Sequence, residues 1–153
     1  MSDWIMARLD EVSREGWIAE IGLRVVEAAP DRLVGEYEIT PKQHQAYGIA
    51  HGGVHSSVVE TLASMGAAIW AEPRGLTVAG LENSTSFLRA VRSGRLRATA
   101  TPLAQGRTTQ VWDVAIEDEQ GRPVAAGRVR LVSLDPARPV DDKPVGDHGL
   151  ASG

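Results

Sequence analysis

The sequence predicts an α+β fold in which a curved antiparallel β-sheet wraps around one long central helix. Three observations predict it. From Arg32 onward apolar and polar residues alternate with a period of two. The same alternation returns in three stretches of the second half. Between these β segments lies one helical stretch, residues 51 to 71, that carries almost no charge.

The elements follow in order. The first sixteen residues read as a short amphipathic helix, with Trp4, Ile5, Leu9 and Val12 at helical spacing and Gly16 as its stop. Ile18 to Ala29 reads as a weaker strand, and Pro30-Asp31-Arg32 as the turn after it. Leu33, Gly35, Tyr37 and Ile39 then alternate with Val34, Glu36 and Glu38, a half-buried strand with its acids toward water. Later, Leu96, Ala98 and Ala100 alternate with Arg95, Arg97, Thr99 and Thr101. Trp112, Val114 and Ile116 alternate with Asp113 and Glu117, and Val129 and Leu131 with Arg128 and Arg130. Gly94, Gln105-Gly106 and Glu119-Gln120-Gly121 mark the turns, at the spacing of an antiparallel meander. From Asp135 to Gly153 three prolines and three glycines interrupt any apolar pattern, which predicts a flexible tail. The expected organisation is an N-terminal helix over 1–16, one domain over 17–134 and a tail over 135–153.

On a wheel of 100° per residue, Val54, Val58, Leu62, Met65 and Ile69 of the long helix form one narrow stripe. Opposite lie Ser56, Glu60, Ala63, Ser64 and Ala67, and Glu60 is the single formal charge from 51 to 71. A solvated helix face normally carries several charges. This helix is therefore expected to be covered on both sides, by its own sheet and by a second copy of the chain. A sheet wrapped around one such helix is the hotdog architecture.

Composition narrows the function. The chain has 153 residues, a formal charge of −4 and no cysteine. An acidic balance argues against general nucleic-acid binding. The lack of cysteine removes disulfides, thiolate nucleophiles and cysteine-ligated metals. No apolar run approaches the ~18 residues of a membrane span. The acidic first sixteen residues do not read as a secretory leader, so a cytoplasmic location is expected.

A carboxylate in a covered helix is costly unless it is paired, protonated or used. Glu60 has no cation at i±3 or i±4, which leaves an arginine from elsewhere or a role as nucleophile or general base. The helix opens with His51-Gly52-Gly53, whose first N–H groups lack intrahelical acceptors and suit a carbonyl oxygen gaining negative charge. A zinc site on His51 and His55 lacks a third ligand, because Glu60 points away from both. No GxSxG, GxGxxG or GxxxxGK[ST] motif occurs. Arg89, Arg92, Arg95 and Arg97, followed by Arg107, make a basic patch suited to phosphates or, equally, a solvated strand face.

Gln45-Ala-Tyr-Gly-Ile-Ala-His51-Gly52-Gly53 with Glu60 and Ser64 resembles the hotdog acyl-CoA thioesterases of the phenylacetate-pathway type. The branch most similar hydrolyses 4-hydroxybenzoyl-CoA or 1,4-dihydroxy-2-naphthoyl-CoA. The resemblance extends over about residues 17 to 134 and takes in Gly80-Leu81-Glu82-Asn83, Phe87-Leu88-Arg89 and Gly106 to Asp113. It implies that Gly52 offers its N–H to the thioester carbonyl and that Gln45 helps to position it. His51 would orient Gln45 or lie near the sulfur. Glu60 of the opposite subunit would attack or activate water, with Ser64 holding that water or the carboxylate. Arg89, Arg107 and Thr108 would contact the nucleotide end of coenzyme A. A homodimer, paired into a tetramer, and no metal or redox cofactor are implied. Where the hydroxybenzoyl branch can place an acid beside Ser64, this chain has Met65, which implies a more apolar acyl pocket. An acyl-CoA binding module and a hotdog dehydratase using His51 and Glu60 are the competing expectations.

Overall fold

A computed structural model describes residues 3–137. Strands β1 (Arg24–Ala29), β2 (Arg32–Ile39), β3 (Thr77–Phe87), β4 (Gly94–Gln105), β5 (Thr109–Asp118) and β6 (Pro123–Leu134) form one antiparallel sheet. Their order is β1-β2-β4-β5-β6-β3. Helices α1 (Asp3–Val12) and α2 (Gly16–Ile21) precede the sheet, and the twenty-residue α3 (Gly52–Ala71) packs against β2 to β6. This is the hotdog fold. No helix among the described residues is long and apolar enough to cross a membrane.

Period-two patterning becomes burial. Leu96, Ala98 and Ala100 of β4, Trp112, Val114 and Ile116 of β5, and Val129 and Leu131 of β6 all lie in the core. From α3 the core receives Val54, Val58, Val59, Leu62 and Met65, each worth roughly 1.5–3 kcal/mol when fully buried. Ala63 and Ala67, expected on the small-residue side, are buried in that core too, and Ile69 is only partly buried. Gly66 sits against the Trp112 ring, which a Cβ would meet at 2.6 Å, so its bare backbone sets how closely helix and sheet approach. Pro73 and Gly75, with φ +66°, end the helical run, and Arg74 caps it by donating to Trp70 O at 2.6 Å.

Two expectations are corrected. Helix α1 ends at Val12 rather than Gly16, and Gly16, with φ +62°, opens α2 instead. Ile18 to Ile21 is helical, because Ile18 and Ile21 at i,i+3 both turn inward and Gly22 closes the turn at φ +70°. The strand begins only at Arg24. Strand β3 was not anticipated from alternation. It lies at the sheet edge, and its register against β6 slips by one residue at Leu81. Residues 138–153, most of the expected tail, lie outside the described residues.

Candidate active site

Two structural features converge on the start of α3. His51 is its N-cap, and His51 Nδ1 accepts the Gly53 N–H at 2.9 Å. The Gly52 N–H has no intrahelical acceptor and donates to no group among the described residues. The Phe87 ring, 56% exposed, lies over Gly52 so closely that a Cβ there would meet it at 2.7 Å. On the other side, Trp17 of α2 donates its indole N–H to Ser57 Oγ at 2.8 Å, and that hydroxyl donates to Gly53 O at 2.7 Å.

Gln45 lies in the loop leading to this cap. Its side-chain oxygen accepts the Tyr47 N–H, and its backbone is closed by Gln45 N to Ile49 O at 2.8 Å and Gly48 N to Gln45 O at 2.9 Å. No hydrogen bond joins Gln45 to His51 among the described residues. Arg92 braces the loop, donating to Tyr47 O at 3.1 Å and Gly48 O at 3.0 Å, while His44 Nε2 donates to Arg92 O at 2.7 Å.

Glu60 stands two turns along α3 and is half-buried. Among the described residues it forms no ion pair. Asn83 of β3 is its partner, donating from Nδ2 to Glu60 Oε2 at 3.0 Å. Ser64 is half-buried one turn further, while Met65 turns into the core. Along the helix axis Gly52 and Glu60 are separated by about 12 Å, eight residues of rise. A single substrate carbonyl cannot touch both within one protomer.

Beneath the cap, His55 is 3% exposed and meets Tyr37 OH at 2.7 Å through Nδ1. Burial pushes the His55 pKa down to about 4 and raises that of Tyr37, so the pair is neutral. The His55 and Phe87 ring centroids are 6.3 Å apart. Sequence reasoning weighed His55 only as a metal ligand and did not single out Tyr37, Phe87, Trp17 or Asn83 for chemistry. Among the described residues no cluster of three metal-ligating side chains occurs.

The arginines divide. Arg95 and Arg97 reach Glu36 at 3.9 and 2.8 Å, and Arg92 is spent on the loop carbonyls. Arg89 and Arg107 are exposed and form no ion pair among the described residues, and Thr108 beside Arg107 is exposed as well.

The sequence pattern of the thioesterase superfamily matches residues 47–125, a span that holds His51, Gly52, Glu60, Ser64, Arg89, Arg107 and Thr108. This chain belongs to the thioesterase superfamily. It is 42% identical to Rv1847 of Mycobacterium tuberculosis over 123 residues, 79% of this chain and 87% of that one. The solved structure of that protein matches the fold at a TM-score of 0.76, covering 79% of this chain and 97% of the other. The proofreading thioesterase EntH of Klebsiella pneumoniae is 32% identical over 84% of this chain and 93% of its own. A thioesterase structure from Haemophilus influenzae, 26% identical, superposes at a TM-score of 0.80 over 94% of each chain. As a member of this superfamily the chain is a thioester hydrolase.

Proposed function

We propose that this thioesterase hydrolyses acyl-CoA thioesters to the free acid and coenzyme A, with an aromatic or medium-chain acyl group. One observation carries the reading: among the described residues Glu60 is a carboxylate without a cationic partner, and it shares a helix with the unengaged Gly52 N–H. Because they stand about 12 Å apart on one helix, Glu60 serves the helix start of a second copy, and the active unit is a homodimer, itself paired into a tetramer. The edge strand β3, with Leu81 and Phe87 more than half exposed, offers the surface for that second copy.

In this arrangement the thioester carbonyl oxygen accepts the Gly52 N–H at the positive end of the helix, with Gln45 beside it. Glu60 either takes a proton from water, whose oxygen then attacks the carbonyl carbon, or attacks it directly to give an anhydride that water opens. In both routes the C–S bond breaks and the thiolate of coenzyme A leaves and is protonated. Ser64 holds the water or the carboxylate. His51, bound to the Gly53 N–H, fixes the helix start near the sulfur. Arg89, Arg107 and Thr108 receive the nucleotide end of coenzyme A. Coenzyme A arrives with the substrate, and the chemistry calls on no metal or redox cofactor.

The test is coenzyme A release, followed with a thiol reagent across aromatic and aliphatic acyl-CoAs. Glu60→Gln is expected to lower kcat by about 10²–10⁴ with an unchanged melting temperature. A Glu60→Gln enzyme as fast as wild type, or acyl-CoA binding without thiol release, overturns the reading.

A further inference from the structure

We infer that Asn83 is a positioning residue for the Glu60 carboxylate, and that the bulge at Leu81 is what brings it there. The inference rests on the role proposed above for Glu60.

Strand geometry makes the case. Gly80 pairs with Leu131 and Asn83 with Val129, and both β6 partners face the core. In a regular strand, positions three apart face opposite sides of the sheet. Between them the register slips by one residue, with Leu81 left unpaired, so Gly80 and Asn83 both face α3. The two inward positions flank one carboxylate. A Cβ on Gly80 would fall inside van der Waals contact with Glu60 Oε1, so only a glycine leaves that oxygen its place.

The hydrogen bonds fix the rest. Asn83 Nδ2 donates to Glu60 Oε2 and to Ser56 O, each at 3.0 Å, which uses both amide protons. Thr85 Oγ1 donates to Asn83 Oδ1 at 2.7 Å. A flipped amide could still bond the Thr85 hydroxyl but would turn its oxygen against Ser56 O and the carboxylate and lose both of those bonds, so Ser56 O locks the NH₂ toward Glu60 while Thr85 holds the other end of the amide. The result is a carboxylate with Oε2 anchored and Oε1 presented over the bare backbone of Gly80. A neutral amide orients the group without forming the ion pair that an arginine or lysine would impose. Holding a reacting group to one geometry is worth large factors in rate, because a misplacement of about 1 Å can cost 10²-fold.

The experiment compares steady-state kinetics of Asn83→Ala, Thr85→Val, Gly80→Ala, Glu60→Gln and the Glu60→Gln/Asn83→Ala double variant. Asn83→Ala is expected to lower kcat by about 10–100-fold with KM within about threefold of wild type. Thr85→Val, which removes the bond to the amide oxygen and loosens the amide, is expected to cost about three- to tenfold. The double variant is expected to be no slower than Glu60→Gln alone, since Asn83 acts only through that carboxylate. Gly80→Ala, which leaves Asn83 in place, is expected to lower kcat by displacing Oε1, and it serves if Asn83→Ala does not fold. Wild-type kcat in Asn83→Ala or in Gly80→Ala, or additive losses in the double variant, overturns the positioning role. A fully active Glu60→Gln enzyme instead removes the function proposed for Glu60. An inactive Glu60→Gln beside a fully active Asn83→Ala removes only the role of Asn83.

Discussion

Helix α3 carries Val58, Leu62 and Met65 on one side and Ser56, Glu60 and Ser64 on another; its own sheet buries the first side and leaves the second half-buried beside the edge strand β3. The first is held by shape: Gly66 lets the helix settle on Trp112, and Gln110 ties Ala67 O to the indole N–H of Trp112. The second is held by direction. Asn83 and the bulged strand aim its carboxylate, while the side stays half-buried within the protomer. One side contributes stability. The other leaves polar groups half-buried, on the side where a second copy is proposed to sit. Mutations should therefore separate the two sides cleanly, stability on one and rate on the other.

The sharpest way to break that separation is on the packing side. Leu62→Ala removes a fully buried side chain, and unfolding in urea should show a loss of about 2–5 kcal/mol. A loss below about 1 kcal/mol would mean that the helix is not seated on its sheet as described. The next effect comes from the buried pair at the foot of the cap. In the folded chain the His55 pKa is lowered from 6.5 to about 4, so the unfolded chain binds its proton first. Stability from this group is complete above pH 6.5 and is lost as pH falls from there toward 4. Relative to His55→Gln, which cannot titrate, the wild type should lose about 2 kcal/mol between pH 7.5 and 4.5. Parallel pH profiles for the two proteins would show that His55 is not buried neutral against Tyr37.

The same division explains what the sequence made legible. Strands β2, β4, β5 and β6 alternate because each has one face on the apolar side of α3, and their core residues could be named from the pattern alone. Glu60 stood out as the one charge in the helix. Strand β3 stayed hidden for two physical reasons. Its bulge breaks the period of two, and its inward residues Asn83 and Thr85 are polar because they meet the polar side of the helix. Which amide reaches Glu60 depends on strand register, and that is a property of β3 against β6. Helix α2 was misread because six residues hold too few turns to distinguish a helical from a strand period. The resemblance carried in Gln45, His51, Gly52 and Ser64, but the bonds these residues make, such as His51 to the Gly53 N–H, required the fold.

The smallest effect tests the comparison at neighbouring positions. Ser64 and Met65 are consecutive on α3, yet Ser64 lies one turn beyond Glu60 on the half-buried side while Met65 is in the core. Alanine suits a helix interior better than serine, so Ser64→Ala should leave unfolding free energy within about 0.5 kcal/mol of wild type. If Ser64 holds the attacking water or steadies the carboxylate, the same change should lower kcat by about tenfold, which corresponds to about 1.4 kcal/mol in the barrier. Met65→Ala should do the reverse and cost stability first, because it opens a cavity behind the helix. Should Ser64→Ala destabilise the chain and spare kcat, the polar side would be an extension of the core, and the second surface it is proposed to meet would lose its chemical purpose.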